Sequence, residues 1–288
     1  MYPREFEYYA PTTLPDALGL LDRLGDEAKL LAGGHSLLPM MKLRFAQPAH
    51  LIDLGRIRDL KGIREEGGVL RIGAMTTENE LIWSKLLQEK CPLLVEAARL
   101  IADPQVRYRG TIGGDISHGD PGNDHPSLML VLGASFVLKS STGDRVVPAD
   151  GFFVGGYATL MTAGEIMTEI RVPVPAPGTG YAYAKLKRKV GDFATAAAAV
   201  TLRLSGGKVQ DVAIALTNVG ATVLRARAAE DALRGKAVSD AAIDAAAKLA
   251  MSICDPATDQ RGDAEYRTAM AGEMTRRALR TAQSRVRS

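Results

Sequence analysis

Two glycine-rich segments carry the residue types in this sequence that are best suited to binding a ligand. The first is "AGGHS", Ala32 to Ser36, which interrupts an apolar run, and the second is "TIGGDISHGDPGND", Thr111 to Asp124. Glycine permits positive φ angles and lets a ligand approach backbone N–H groups closely, which is how anion-binding loops are built. Because each glycine pair follows an apolar segment and has a hydroxyl residue nearby, the two segments together predict a site for a diphosphate-containing ligand.

Neither segment matches the common nucleotide-binding motifs. The Gly-Lys-Ser/Thr ending of a P-loop is absent, and so is the Gly-x-Gly-x-x-Gly spacing of a dinucleotide-binding turn. The two loops contain no Lys or Arg, so a phosphate would be held by main-chain donors and by the hydroxyls of Ser36 and Thr111. This donor set suits a tightly bound cofactor, although either glycine pair alone could be only a sharp turn.

Metal binding and nucleophilic catalysis are weaker interpretations of the same segments. The residues of metal-ligating type in and beside the second segment are Asp115, His118, Asp120, Asp124 and His125. Their spacing matches no known metal cage, and Asp and Asn are also the residues that turns require, so no metal site is predicted. A Ser–His hydrolase built on His35 and Ser36 is disfavoured because no nucleophile elbow is present.

Composition narrows the class of protein. The 288 residues are 46% hydrophobic and 24% charged, which predicts a globular chain with a substantial core. A net charge of +3 is too small to indicate nucleic acid or a membrane surface as a partner. With only Cys91 and Cys254, the chain has neither a disulfide framework nor its own iron–sulfur or zinc site. No signal peptide or membrane-length apolar run is present, so a cytoplasmic protein is predicted.

The pattern of apolar residues predicts an α+β fold with three parts: two α/β lobes, over residues 1–60 and 61–177, and an antiparallel sheet with helices over 178–288. Thr13 and Thr77 have capping-box spacing and predict helices over 13–24 and through "ENELIWSKLLQ", and Pro92 starts another. Turn formers are so dense between residues 103 and 127 that an irregular loop is predicted there. The predicted strands are 29–32, 50–54, 68–74, 134–141, 145–149, 165–174, 181–189, 194–205 and 208–220. The last three are expected to form a meander with a turn at Gly206 and Gly207, followed by helices, one of them capped by Ser239.

At the two loops the sequence becomes recognisable. "KLLAGGHSLLPMMKLR" and "RYRGTIGGDISHGDPGNDHP" resemble the FAD-binding subunits of molybdenum hydroxylases, in particular those that serve aerobic carbon monoxide dehydrogenases. The similarity runs from "YPREFEYYAPTTLPDAL" to "KRKVGDFATAAAAV" and beyond. It implies a non-covalently bound FAD between the first two lobes, with its diphosphate against both glycine-rich loops.

The resemblance also implies a set of cofactor-binding residues, and no catalytic acid or base. On the first loop these are Lys29, Leu30, Leu31, Ala32, Gly33, Gly34, His35, Ser36 and Leu37. On and around the second they are Ile101, Ala102, Gly110, Thr111, Gly113, Gly114, Asp115, Ser117, His118, Asn123 and Asp124. Met167, Lys185 and Phe193 complete the set. Phe193 stands where relatives often have Tyr beside the flavin ring, and Lys185 would otherwise be interpreted as a solvated strand residue.

The function implied is one part of a larger reaction. A large subunit would oxidise CO with water to CO2 at a molybdenum cofactor, and a small subunit would pass the electrons through 2Fe–2S clusters to this FAD and on to a quinone or another acceptor. The complex would be a dimer of heterotrimers, with the inner face of the cytoplasmic membrane as one place of association. Three alternatives stay open. The first is a related hydroxylase acting on an N-heterocycle or aromatic substrate, and the second is a self-sufficient flavin oxidase, because "GGHS" also resembles the vanillyl-alcohol-oxidase class. The third is a scaffold that binds no cofactor.

Overall fold

The computed structural model describes residues 2–286, and the fold is α+β, as predicted. The helices are α1 (Leu14–Leu24), α2 (Leu37–Lys42), α3 (Glu78–Trp83), α4 (Lys85–Lys90), α5 (Pro92–Leu100), α6 (Pro104–Arg109), α7 (Ile112–His118), α8 (His125–Val131), α9 (Arg227–Leu233), α10 (Asp240–Met251) and α11 (Ala264–Arg285). The strands are β1 (Glu7–Tyr9), β2 (Ala28–Leu31), β3 (His50–Asp53), β4 (Ile63–Glu66), β5 (Val69–Gly73), β6 (Ser135–Ser140), β7 (Gly143–Pro148), β8 (Phe153–Gly155), β9 (Ala158–Thr159), β10 (Ile166–Pro173), β11 (Gly180–Leu186), β12 (Ala196–Ser205), β13 (Lys208–Thr217) and β14 (Leu224–Arg225).

The first sheet is small and parallel. Its strand order is β1-β3-β2, and both β1 and β2 run parallel to the central β3. Helix α1 covers this sheet through Ala17, Leu18 and Leu21, which are buried against Ile52. The helix begins where predicted, because the Thr13 hydroxyl accepts a hydrogen bond from the Asp16 N–H.

The second sheet is antiparallel and has the order β4-β5-β10-β6-β7. Its core consists of apolar residues from these strands and from helices α3, α4, α5, α7 and α8. The third sheet is the predicted meander, in the order β11-β12-β13-β14, and Gly206 and Gly207 make its turn with positive φ angles. The division into three domains at residues 60 and 177 remains a prediction.

The third sheet is covered on both faces. Ala197 and Ala199 of β12 point into the core that includes α5 and α8, whereas Ala196 and Ala198 point into the core formed with α9, α10 and α11. All four of these alanines are fully buried. Alternate residues of a strand face opposite sides, so an unbroken apolar run is the pattern expected for a strand between two layers.

The prediction of an irregular loop over residues 103–127 was wrong. Helices α6 and α7 and the start of α8 lie there. Asp103 and Thr111, both common in turns, act as N-caps instead, accepting hydrogen bonds from the N–H groups of Val106 and Gly114. Pro104 occupies a first-turn position, where its missing N–H costs nothing. Residues that interrupt a helix can equally begin one, and composition alone did not separate the two cases.

The single helix predicted through "ENELIWSKLLQ" is two helices. Ser84 lies between α3 and α4 in an extended conformation, and its hydroxyl accepts a hydrogen bond from the Leu87 N–H. The serine side chain therefore ends one helix and caps the next, a competition with helical backbone that is typical of serine.

The capping box at the start of α3 is present as predicted. Thr77 accepts from the Glu80 N–H, and the Glu80 carboxylate accepts from the Thr77 N–H at 2.7 Å. We expect Thr77→Ala to lower the free energy of unfolding by about 1 kcal/mol, because one helix-terminal donor loses its partner. Thermal unfolding would measure this, with Thr142→Ala in an exposed turn as the control. Equal stability of the two variants would contradict the role of the cap.

The basic C-terminal segment is a helix whose arginines have partners in the chain. Arg276 pairs with Asp244, Arg280 with Asp240, and Arg285 with Glu96 of α5. The last two residues of this segment, Arg287 and Ser288, lie outside the described residues. Among residues 2–286, no helix is both long and apolar enough to cross a bilayer.

Candidate functional site

The two glycine-rich loops meet in space. The first connects β2 to α2, and the second leads from α6 into α7. A Cβ atom on Gly33 would lie 2.4 Å from the carbonyl oxygen of Arg109 and 2.8 Å from the Cα of Gly110, and a Cβ on Gly114 would lie 3.4 Å from the Cβ of Ala32. Only glycine permits this approach of two backbones, so the loops form one site.

The first loop offers main-chain donors. Lys29, Leu30 and Leu31 lie in β2, and Leu37 opens α2. Between them, no backbone hydrogen bond within residues 2–286 is donated by Gly33, Gly34, His35 or Ser36. Gly34 has a φ of +79°, which lets successive N–H groups turn toward a common point. These N–H groups belong to the first of the two loops predicted to bind a phosphate, and that role remains a prediction.

The second loop is built differently. The N–H groups of Ile112 and Gly113 donate to the carbonyls of Thr76 and Ala74. The N–H groups of Gly114 and Asp115 donate to the hydroxyl and carbonyl oxygens of Thr111. A Cβ on Gly113 would lie 2.5 Å from the Cβ of Ala74, so this glycine lets α7 lie directly on the chain after β5. The N–H groups of residues 112–115 are therefore paired within the protein and serve close packing, whereas those of residues 33–36 have no backbone acceptor among residues 2–286.

The side chains along α7 point to several neighbours. Ser117 donates to the sulfur of Met167 in β10 at 3.7 Å, and the ring of His118 packs edge-on against Tyr157, with centroids 5.1 Å apart. Burial lowers the pKa of His118, and nearby Asp120 opposes that shift. Burial raises the pKa of Asp115 to about 8, and one of its carboxylate oxygens is buried with no hydrogen-bond partner among residues 2–286.

Asp124 is the centre of a buried polar cluster. Asn123 before it donates to the carbonyl of Asp115 at 2.7 Å. Lys185 donates to one carboxylate oxygen of Asp124 at 2.6 Å, and the hydroxyl of Tyr183 donates to the other. The side chain of Lys185 is only 2% exposed, which excludes the interpretation of it as a solvated strand residue. Tyr183 was missed from the sequence, although its spacing of two from Lys185 on one strand places both side chains on the same face.

The turn after α5 is held by cations. Lys185 and Lys187 donate to the carbonyl of Leu100 at 3.3 and 2.9 Å, and Arg107 donates to the carbonyl of Ile101 at 2.8 Å. Ala102 has a φ of +45°, which is uncommon for a residue with a side chain. Burial lowers the pKa of Lys187, and the positive charge of Lys185 lowers it further. Positive groups at a helix C-terminus stabilise its unpaired carbonyls, so this turn is fixed despite its strained residue.

Phe193 lies in the loop between β11 and β12 and is 45% exposed. The Cζ atom of Arg261 lies 5.9 Å from the centroid of the Phe193 ring. A Cβ on Gly122 of the second segment would lie 3.3 Å from its Cδ1. An exposed aromatic ring beside the glycine-rich segment is available to pack against a ligand.

One buried pair was missed from the sequence. Nε2 of His125 lies 3.0 and 2.9 Å from the two carboxylate oxygens of Glu78, and both side chains are buried. Burial disfavours the charged imidazole, yet the Glu78 carboxylate reverses this and raises the pKa of His125 to about 9. Glu78 follows a helix cap, where an acidic residue normally lies in solvent, so its position gave no signal of burial.

Two known protein families match this chain over most of its length. A family described as "FAD binding domain in molybdopterin dehydrogenase" matches residues 4–175, and one described as "CO dehydrogenase flavoprotein C-terminal domain" matches residues 181–282. The chain belongs to the FAD-binding family of molybdopterin dehydrogenases. The resemblance inferred from the two loops, and FAD as the cofactor of the family, are thereby confirmed.

Members of this family align along the whole chain. The carbon monoxide dehydrogenase medium chain of Hydrogenophaga pseudoflava is 61% identical over 285 residues, 99% of each chain. A solved structure of carbon monoxide dehydrogenase from Hydrogenophaga pseudoflava, which lacks the Mo-pyranopterin moiety, matches with a TM-score of 0.99 at 63% identity over 100% of both chains. Quinoline 2-oxidoreductase from Pseudomonas putida 86 matches with a TM-score of 0.94 at 33% identity, again over 100% of both chains. The individual cofactor-binding residues remain predictions.

Proposed function

We propose that this chain is the FAD-carrying electron-transfer subunit of a carbon monoxide dehydrogenase. The observation that carries the proposal is the first loop: the N–H groups of residues 33–36 have no backbone acceptor within residues 2–286, and Gly33 holds them against residues 109–110. This cradle fits the diphosphate of FAD, and the 61% identity to a carbon monoxide dehydrogenase medium chain supports the substrate. Bound FAD supplies the capacity to accept and release electrons.

The residues of this chain bind and position the cofactor in this proposal. The main chain of Gly33 to Ser36 and the hydroxyls of Ser36 and Thr111 hold the diphosphate. Packing between Gly113 and Ala74 fixes the second loop, and the cations around the turn at Ile101 and Ala102 fix the wall beside the ring. We assign the remaining predicted residues to the same cofactor site.

The metal centres of the proposed complex belong to partner subunits. Cys91 is buried and Cys254 is half-buried, and two distant thiols cannot hold the clusters that deliver electrons to FAD. The likeness to carbon monoxide dehydrogenase medium chains supports assigning the 2Fe–2S clusters to a small subunit and the molybdenum cofactor to a large one, and we propose a cytoplasmic dimer of heterotrimers. A quinone at the inner face of the membrane is the proposed acceptor.

A related hydroxylase is the second candidate, because quinoline 2-oxidoreductase shares the fold over the whole chain. The test is to purify the complex through a tag on this chain, and to measure FAD, iron and molybdenum together with the turnover of CO and of quinoline. CO oxidation by a complex with one large and one small partner is the expected result. Turnover of the heterocycle alone would favour the second candidate, and a solitary chain without FAD would overturn both.

A further inference from the structure

A buried arginine of α11 connects three separate segments of the chain. Arg267 is 3% exposed, and its guanidinium donates to the carbonyls of Thr195, Asn218 and Ala257 at 3.2, 2.6 and 2.7 Å. Its nearest carboxylate is Asp259, at 3.3 Å. Burying a guanidinium is costly unless its donors are satisfied, and the planar group suits several acceptors at once. Arg267 therefore fixes the relative positions of these three segments.

Asn218 extends this connection toward the glycine-rich segment. Its N–H donates to the carbonyl of Pro121 at 2.9 Å, and its side-chain amide donates to the carbonyl of Ala194 at 2.5 Å. Its own carbonyl accepts from Arg267. The residue has a φ of +62°, which asparagine adopts more readily than most other residues. Asn218 thus joins the second glycine-rich segment, the β11–β12 loop and α11.

The loop joined in this way carries Phe193. It leaves β11 at Leu186 and is closed by a hydrogen bond from the Thr195 N–H to the Leu186 carbonyl at 2.8 Å. A Cβ on Gly122 would lie 3.3 Å from Cδ1 of Phe193 and 3.6 Å from Cγ of Asn218, so the three residues pack together. The carbonyls of Ala194 and Thr195, directly after Phe193, are the two that Asn218 and Arg267 hold.

We propose that Asn218 and Arg267 are positioning residues that hold Phe193 against the glycine-rich segment and so define one wall of the flavin site. The inference rests on the proposed function for its ligand. Neither residue belongs to the predicted cofactor contacts, and both act through the β11–β12 loop. The C-terminal helices thereby take part in shaping the cofactor site, in addition to covering the third sheet.

Asn218→Gly provides a selective test. Glycine accepts a φ of +62° without strain, and it keeps the backbone bonds to Pro121 and Arg267 while it removes the amide bond to Ala194. Asn218→Asp replaces that donor with an acceptor. The matched control is Gln283→Ala, which removes another half-buried amide, bonded to the carbonyl of Val238 at 2.9 Å, from α11 itself.

Two measurements on the tagged complex separate positioning from general stability. The first is the FAD dissociation constant together with the visible circular dichroism of the flavin. The second needs no FAD: it is the rate of trypsin cleavage after Arg188 and Lys189, which are exposed in the β11–β12 loop. Because one hydrogen bond to this loop is lost, we expect both Asn218 variants to bind FAD about tenfold more weakly, with altered dichroism and faster cleavage. Gln283→Ala should match the wild-type protein in FAD affinity, in dichroism and in cleavage rate.

The outcomes distinguish this inference from the function on which it rests. Asn218 variants with wild-type FAD affinity, dichroism and cleavage rate, in a complex that carries FAD, would overturn the positioning role alone. A wild-type complex without FAD would overturn the proposed function, and the flavin role of Phe193 with it. An equal loss of FAD affinity and an equal increase in cleavage rate in Gln283→Ala would show that general destabilisation explains the behaviour of the Asn218 variants. That result would also overturn the inference.

Discussion

Replacing Gly33 with alanine or valine is expected to remove most of the FAD from this protein. The new Cβ would lie 2.4 Å from the Arg109 carbonyl oxygen and 2.8 Å from the Gly110 Cα, distances at which the backbone of one loop must move. Because both neighbours are backbone atoms, no side chain can turn away to make room. We expect FAD affinity to fall by tenfold or more, which corresponds to at least about 1.4 kcal/mol of binding free energy.

The measurement is the FAD content of the purified complex, with thermal unfolding to verify that the variant folds. Gly19→Ala is a matched control, because a Cβ at this position in α1 has nothing within 4 Å. This control should keep its FAD and gain about 0.5–1 kcal/mol of stability, since alanine favours helix over glycine. Wild-type FAD content in Gly33→Val would mean that the loops do not form the diphosphate site.

Removing the carboxylate of Glu78 is expected to cause a large loss of stability. Its two oxygens bind the buried His125, and breaking a buried ion pair from one side typically costs about 3–5 kcal/mol. Glu78→Ala should therefore lower the free energy of unfolding by an amount in this range at neutral pH. As a control, Glu273→Gln on α11 removes a carboxylate that pairs with Arg277 at the surface, where about 0.5 kcal/mol is expected.

The same pair predicts a pH dependence with a definite sign. The folded-state pKa of His125, about 9, exceeds the ordinary value of 6.5. Its contribution to the free energy of unfolding is therefore fully present below pH 6.5 and is lost as the pH rises through 9. In Glu78→Gln, burial should instead keep His125 neutral, so the loss of stability as the pH rises through 9 should disappear. Asp115 and Asp124 also act on the imidazole, so the informative quantity is the difference between the wild-type and variant unfolding curves from pH 6 to 9. Parallel curves would mean that His125 is neutral in the folded protein.

Local patterns in the sequence predicted the elements whose causes are local. The caps at Thr13, Thr77 and Ser239 each satisfy N–H groups within the next turn, so residue spacing was enough to find them. The meander was similarly evident from apolar strands separated by Gly206 and Gly207. Short strands such as β4, with one half-buried residue among exposed ones, carry too little apolar pattern to be detected.

The polar centre of the candidate site has causes that are not local. Lys185 and Asp124 are separated by 61 residues, and Glu78 and His125 by 47, so no spacing rule connects either pair. Only the folded chain brings them together: Lys185 of β11 binds the N-cap residue of α8, and Glu78 of α3 binds the first residue of α8. The resemblance identified Lys185 and Asp124 as cofactor residues, but it did not indicate that they bind each other.

The alanine-rich strand β12 offers a means of engineering this protein. Ala197 and Ala199 face the layer of α8, whereas Ala196 and Ala198 face the layer of α11, so adjacent positions act on opposite sides of one sheet. A larger residue at one of the first two positions would press on the helix that follows the glycine-rich segment. The same residue one position along would press on the C-terminal helices instead. Redesign of this strand could therefore adjust the two layers independently, using substitutions only one residue apart.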